Sequence, residues 1–137
     1  MGSDFEIAIK VAPHHIEWEM MLWAAIHADT SPVYSDFWNF DHFYPIYGDS
    51  SGPCLESWVT LAAIAQATSR IRVGCMVNGV HYRHPAVVAN MASGLDIISD
   101  GRFELGLGAG WNEEESGAYG IPLGSLTERF DRFDEAL

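Results

Sequence analysis

Three short clusters hold most of the residues in this chain that could do chemistry. They are Asp41-His42-Phe43-Tyr44-Pro45, then Asn78-Gly79-Val80-His81-Tyr82-Arg83-His84-Pro85, then Ala109-Gly110-Trp111-Asn112. His42 is the foremost candidate for a general acid or base. An imidazole changes charge near neutral pH, and the adjacent Asp41 carboxylate would raise its basicity. The Asp-His pair is a short motif, and a histidine that only hydrogen-bonds to backbone would read the same way. Trp111 is placed to wall an aromatic ligand.

Two other patterns carry less. Gly106, Gly108 and Gly110 are spaced GxGxG rather than GxGxxG, and Glu113, Glu114 and Glu115 follow where a pyrophosphate would sit. Carboxylates there satisfy the positive end of the next helix and repel phosphate, so no dinucleotide site is assigned. Gly106 and Gly108 are read as clearing one strand face, either for room inside a barrel or for a neighbouring side chain. His14, His15, His27, His42, His81 and His84 form no HxH, HExxH or HxxxH pair with a spaced carboxylate, so no metal ligands are assigned. His81 and His84, with Arg83, are read as shaping a loop.

Bringing the clusters together requires elements. Residues 5–11, 35–40, 71–77 and 103–108 read as strands, the third with Ile71, Val73, Cys75 and Val77 on one side, the fourth with Phe103, Leu105 and Leu107. Helical spacing i, i+3, i+4, i+7 joins Trp18, Met21, Leu22 and Ala25, then Leu55, Trp58, Val59 and Ala62, then Val88, Met91, Ala92 and Leu95. Pro53 and Pro85 suit a first helical position, and Ser125 with Glu128 forms a capping box before a last helix. Strands starting at residues 5, 35, 71 and 103 lie at intervals of 30, 36 and 32. This alternation predicts right-handed βαβ crossovers, a parallel sheet and an α/β fold of TIM-barrel (β/α)8 type, here about four βα units in one domain over residues 1–137. All three clusters then fall at strand C-terminal ends, the rim where such barrels place their sites.

Bulk properties narrow the function. Seven Lys and Arg against 19 Asp and Glu give a net charge of −12, which disfavours nucleic acid and anionic membranes as partners. No apolar run is long enough to span a bilayer, and the first residues (Met1 to Glu6) carry no secretory or myristoylation signal. Cys54 and Cys75 form no CxxC pair, and two isolated thiols suit a reducing cytoplasm.

With these residues in place, the sequence resembles the luciferase-like monooxygenase superfamily, in the branch that uses the deazaflavin coenzyme F420. The stretches that carry the resemblance are FDHFYPIYGD (40–49), GPCLESWVTLAAIA (52–65), RVGCMVNGVHYRHPAVVANMA (72–92), LDIISDGRFELGLGAGWNEEE (95–115) and ERFDRFDEAL (128–137). The resemblance implies a TIM barrel that binds coenzyme F420, or alternatively FMN, at the strand C-termini. It implies a non-proline cis peptide at Met76–Val77 behind the ring, with Asn78 and Gly79 beside it. It implies that Asp41 and His42 contact the deazaflavin and assist proton transfer, and that Ala109, Gly110 and Trp111 contact the ring or its side chain. The implied activity is hydride transfer to or from a small organic substrate, and oxygen-using and oxygen-independent chemistries both remain open. Sugar-phosphate dehydrogenase members carry an acidic residue where this chain has Trp111, which argues against that substrate. The family's phosphate-binding elements lie in the second half of the barrel, beyond residue 137. Two other expectations stand beside this one. One is an inactive half-barrel stabilised by self-association or by a missing C-terminal half. The other is a metal-dependent barrel hydrolase.

Overall fold

The computed structural model describes residues 5–137, so most of the N-terminal stretch read above for targeting signals (residues 1–4) lies outside it. Strands β1 (Ile7–Lys10), β2 (Tyr34–Asn39), β3 (Arg72–Cys75) and β5 (Phe103–Glu104) form one parallel sheet in the order β1-β2-β3-β5. Two short strands, β4 (Asn78–Gly79) and β6 (Leu107–Gly108), continue the third and fourth strands as a separate parallel pair. Helices α1 (Trp18–Thr30), α2 (Ser57–Ala67) and α3 (Pro85–Ser99) cross over between strands, and α4 (Glu113–Ala118) and α5 (Leu126–Ala136) follow the fourth. The result is an α/β partial barrel of four βα units.

Alternation along the strands separates two faces. Phe37, Val73 and Cys75 point to the helices and pack with Met21 and Ala25 of α1, Leu61 and Ile64 of α2 and Leu95 of α3. On the opposite face Arg72 pairs with Asp36 through Nε at 2.5 Å, and also with Glu6 and Glu104. Two arginines tie helix ends to strand starts. Arg70 donates to the carbonyls of Ala28, Ser31 and Tyr34, and Arg102 to those of Ala65, Thr68 and Ile71. Both satisfy carbonyls that a helix leaves open at its C-terminus.

Three local expectations are corrected. The third strand stops at Cys75, because the Met76–Val77 peptide is cis and turns the chain before pairing resumes at Asn78. Val77 therefore leaves the buried row of Ile71, Val73 and Cys75, and Leu105, at the matching break in the fourth strand, is likewise exposed. Helix α2 begins at Ser57, not Pro53, because the Glu56 side chain caps it by accepting from the Val59 amide at 2.7 Å. Its buried stripe is Trp58, Leu61, Ile64 and Ala65, with Val59 exposed. This helix is apolar on two faces, and the face with the larger side chains turned to the sheet. Pro85 at the first position of α3 and the Ser125–Glu128 capping box of α5 form as expected.

Candidate active site

A pocket of about 480 Å³ opens at the C-terminal ends of the strands. Lys10 and Ala12 line it after β1, Phe40, Asp41 and His42 after β2, Met76, Val77, Gly79, His81 and Tyr82 around β4, and Gly108, Gly110 and Trp111 around β6. Of the candidate residues, Asp41, His42, Met76, Val77, Gly79, Gly110 and Trp111 meet here. Ala109 is not in the pocket wall. Asn78 lines a smaller cavity of about 70 Å³, where its side-chain amide donates to the Gly106 carbonyl at 2.9 Å.

The glycines of this rim are explained by close approach. A Cβ on Gly106 would collide with the Cys75 carbonyl oxygen, and one on Gly108 would fall 2.5 Å from Val77 Cγ2. The empty strand face is thus filled by the turned third strand, which decides between the two readings left open by the sequence. Gly110 has φ +85° and sits against the His81 ring, so both its backbone and its space exclude a side chain.

Asp41 and His42 do not act on one another. Adjacent residues in extended chain point opposite ways. Asp41 turns to Arg83, which donates to both carboxylate oxygens at 2.6 and 3.0 Å and to Glu56 Oε1 at 2.7 Å. The Arg83 guanidinium also lies over the Phe43 and Trp58 rings. Burial pushes the Asp41 carboxyl above its ordinary value against the pull of Arg83. The carboxylate that serves His42 is Glu115, whose Oε2 lies 2.7 Å from His42 Nδ1. This corrects the expectation that Asp41 tunes His42.

Glu115 is fully buried. It also accepts from the Phe43 amide at 2.6 Å and from the Tyr82 hydroxyl. Burial alone would raise its pKa, but the bonds from His42, Tyr82 and Phe43 outweigh it and hold the carboxyl below the usual range. Glu115 is therefore ionised and can only accept, so His42 Nδ1 carries the proton. Sequence reasoning grouped Glu115 with Glu113 and Glu114 as helix-start charges. Those two are exposed and fit that role, whereas Asn112 caps α4 through the Glu115 amide and turns the Glu115 side chain inward. The one available signal was a row of three acids where a short helix needs fewer.

His81 is the other unexpected member. Both its ring nitrogens are buried without a partner, and burial, with the Arg132 and Arg129 charges, lowers its pKa to about 4. It is neutral at physiological pH and packs tilted against the Tyr82 ring, with centroids 3.9 Å apart. Trp111 stands edge-on to His42 at 5.6 Å, with 63% of its surface exposed at the pocket mouth. Among the described residues, no group of three or more His, Cys, Asp or Glu is placed to hold a metal ion, and no helix is long and apolar enough to cross a membrane.

Parallel βα units with a pocket at their C-terminal rim define part of a (β/α)8 barrel. The chain belongs to the luciferase-like monooxygenase family, whose profile matches residues 33–137. It is 40% identical over 101 residues to an F420-dependent hydroxymycolic acid dehydrogenase of Mycobacterium tuberculosis, an alignment covering 73% of this chain and 28% of that protein. It is 40% identical over 77 residues to 4-hydroxyprotoasukamycin monooxygenase of Streptomyces nodosus subsp. asukaensis, covering 56% of this chain and 20% of the relative. A solved F420-dependent secondary alcohol dehydrogenase, in complex with an F420-acetone adduct, superposes with a TM-score of 0.84 at 26% identity over 96% of this chain and 39% of the other. The chain thus spans well under half the length of the relatives it matches, which are oxidoreductases and monooxygenases.

The pocket fits the ring of a deazaflavin or flavin. Its walls are apolar at Phe40, Met76, Val77 and Trp111, and the Gly108 and Gly110 backbone and the neutral His81 ring complete the lining. Lys10 is the one Lys or Arg in the described lining, so a phosphate-bearing tail finds little countercharge here.

Proposed function

We propose that this chain forms the N-terminal part of an oxidoreductase that uses coenzyme F420 to interconvert a small uncharged alcohol and its carbonyl compound. The observation that carries the reading is the rim pocket, where His42 faces an apolar, ring-sized space with Nδ1 already engaged. The F420-dependent relatives and the family membership support it. When bound, the deazaflavin supplies the two-electron acceptor, as cofactors generally carry the redox chemistry.

The chain's residues do the rest. Met76, Val77 and the Gly108–Gly110 turn would hold the ring, with the neutral His81 ring beside it. Trp111 and Phe40 would exclude water and bracket an apolar substrate. His42 Nε2, with no hydrogen-bond partner among the described residues, would take the hydroxyl proton as the carbinol hydride leaves, and return it in the reverse direction. A neutral indole at position 111 favours an uncharged substrate over a sugar phosphate. The free, inward-placed thiols of Cys54 and Cys75 are consistent with a reducing, cytoplasmic setting.

Fluorescence titration of the folded chain with coenzyme F420 and with FMN tests the reading. Saturable quenching by F420, weakened in Trp111→Ala, is expected. Binding of FMN alone would replace the deazaflavin with a flavin, and binding of neither would remove the activity from this chain.

A further inference from the structure

Glu115 sits one carboxylate away from the chemistry, and its surroundings ask for more than a buried anchor. Three donors converge on it from two segments: the His42 ring and the Phe43 amide after β2, and the Tyr82 hydroxyl after β4. Their arrangement is unequal. The Phe43 amide is on Oε1, while His42 and Tyr82 share Oε2. A group that merely neutralised a loop amide would need neither ring.

We propose that Glu115 is the positioning residue of His42, holding the imidazole in its Nδ1–H form so that Nε2 faces the pocket as the proton acceptor. The assignment of Nε2 to substrate rests on the function proposed above, whereas the tautomer does not. Tyr82 donates to the same oxygen, Oε2, and helps fix the carboxylate. Burial and its bond to Glu115 push the Tyr82 hydroxyl upward, so it stays protonated and donates. Glu115 itself touches neither the ring site nor substrate, because it is absent from the pocket wall.

The geometry makes Glu115→Gln informative. The Phe43 amide can only donate, so it claims the carbonyl oxygen of the new side chain. The NH2 group then occupies the place of Oε2 and donates to His42 Nδ1, while the Tyr82 hydroxyl rotates to accept. The imidazole must move its proton to Nε2, and the acceptor facing the pocket is lost without a change of shape.

Nitrogen NMR of the histidine-labelled chain, at a pH where His42 is neutral, reads this directly. The expected result is Nδ1–H in the native chain, Nε2–H in Glu115→Gln, and Nδ1–H retained in Tyr82→Phe, which keeps the carboxylate. With F420 and a turned-over alcohol, Glu115→Gln should lower kcat by roughly 10²–10⁴-fold, the range of a lost general base, with KM little changed. A native chain with the proton on Nε2, an unchanged tautomer in Glu115→Gln, or a switched one in Tyr82→Phe would overturn the proposal. Should Glu115→Gln fail to fold, the native and Tyr82→Phe measurements still decide. The tautomer needs no cofactor, so Nδ1–H without F420 binding would sink the functional reading and leave the positioning role standing.

Discussion

Arg83 is the residue on which the rim depends most for its shape. It ties Asp41 after β2 to Glu56 at the start of α2 while itself lying beyond β4. Asp41 is almost wholly buried, so its charge has little else to answer it. Removing one partner of such a pair typically costs about 3–5 kcal/mol, because the other is left buried and uncompensated. Arg83→Met is therefore expected to lose stability on that scale in urea unfolding at neutral pH. The deficit should shrink on acidification, since protonated Asp41 needs no countercharge. His81 gives a second pH signature. Its folded pKa, about 4, lies below the ordinary 6.5, so the unfolded chain binds the proton more readily between those values. Stability from this group is present above the ordinary value and lost as pH falls toward the folded one. His81→Phe, which keeps a ring against Tyr82, should flatten that part of the stability profile. A native-like slope in the variant would assign the dependence to other groups.

At the scale of elements, the strand–helix alternation was legible because the third and fourth strands alternate with a period of two and the helices between carry a 3.6-residue stripe. Strand starts at residues 5, 35, 71 and 103 compare with observed starts at Ile7, Tyr34, Arg72 and Phe103. The breaks inside the third and fourth strands were not visible to that period, because IRVGCMV and FELGLG alternate straight through them. What placed the turn at Met76–Val77 was the family resemblance, not the pattern. The site was half legible for the same reason. The clusters at strand ends marked the rim, and His42 and Trp111 reached the pocket, but side-chain partners are set by tertiary geometry. Neighbours in sequence suggested Asp41 for His42, and a residue 73 positions away supplied the carboxylate. Two glycines test the account of the break. Gly106→Ala sets a methyl against the Cys75 carbonyl, which is backbone and cannot swing aside, and overpacking of this kind costs about 1–3 kcal/mol. Gly94→Ala lies within α3 with nothing within 4 Å, so it should stabilise by up to about 1 kcal/mol through helix propensity. Thermal unfolding that moved both variants in the same direction would contradict this reading of the rim.

At the scale of the whole molecule, the sheet has two unpaired edges among the described residues. In the order β1-β2-β3-β5, β1 has no neighbour on one side and β5 none on the other, and β6 extends the second edge. Apolar side chains sit along both, with Phe5 86% and Ile7 50% exposed near β1 and Leu105 45% exposed beside β6. A sheet edge offers unpaired amides and carbonyls as a template for another chain, and proteins ordinarily cover it, charge it or close it into a barrel. Against pairing stands the net charge of −12, which repels a second copy at low ionic strength and is screened over roughly 8 Å at about 0.15 M salt. We therefore expect the 137-residue chain by itself to self-associate through these edges, and more strongly as salt is raised. Sedimentation velocity across a salt series measures this, and Ile7→Lys, which places a charge on the β1 edge, should shift the population toward monomer. A monodisperse monomer at all salt concentrations, including those that screen the charge, would overturn this expectation.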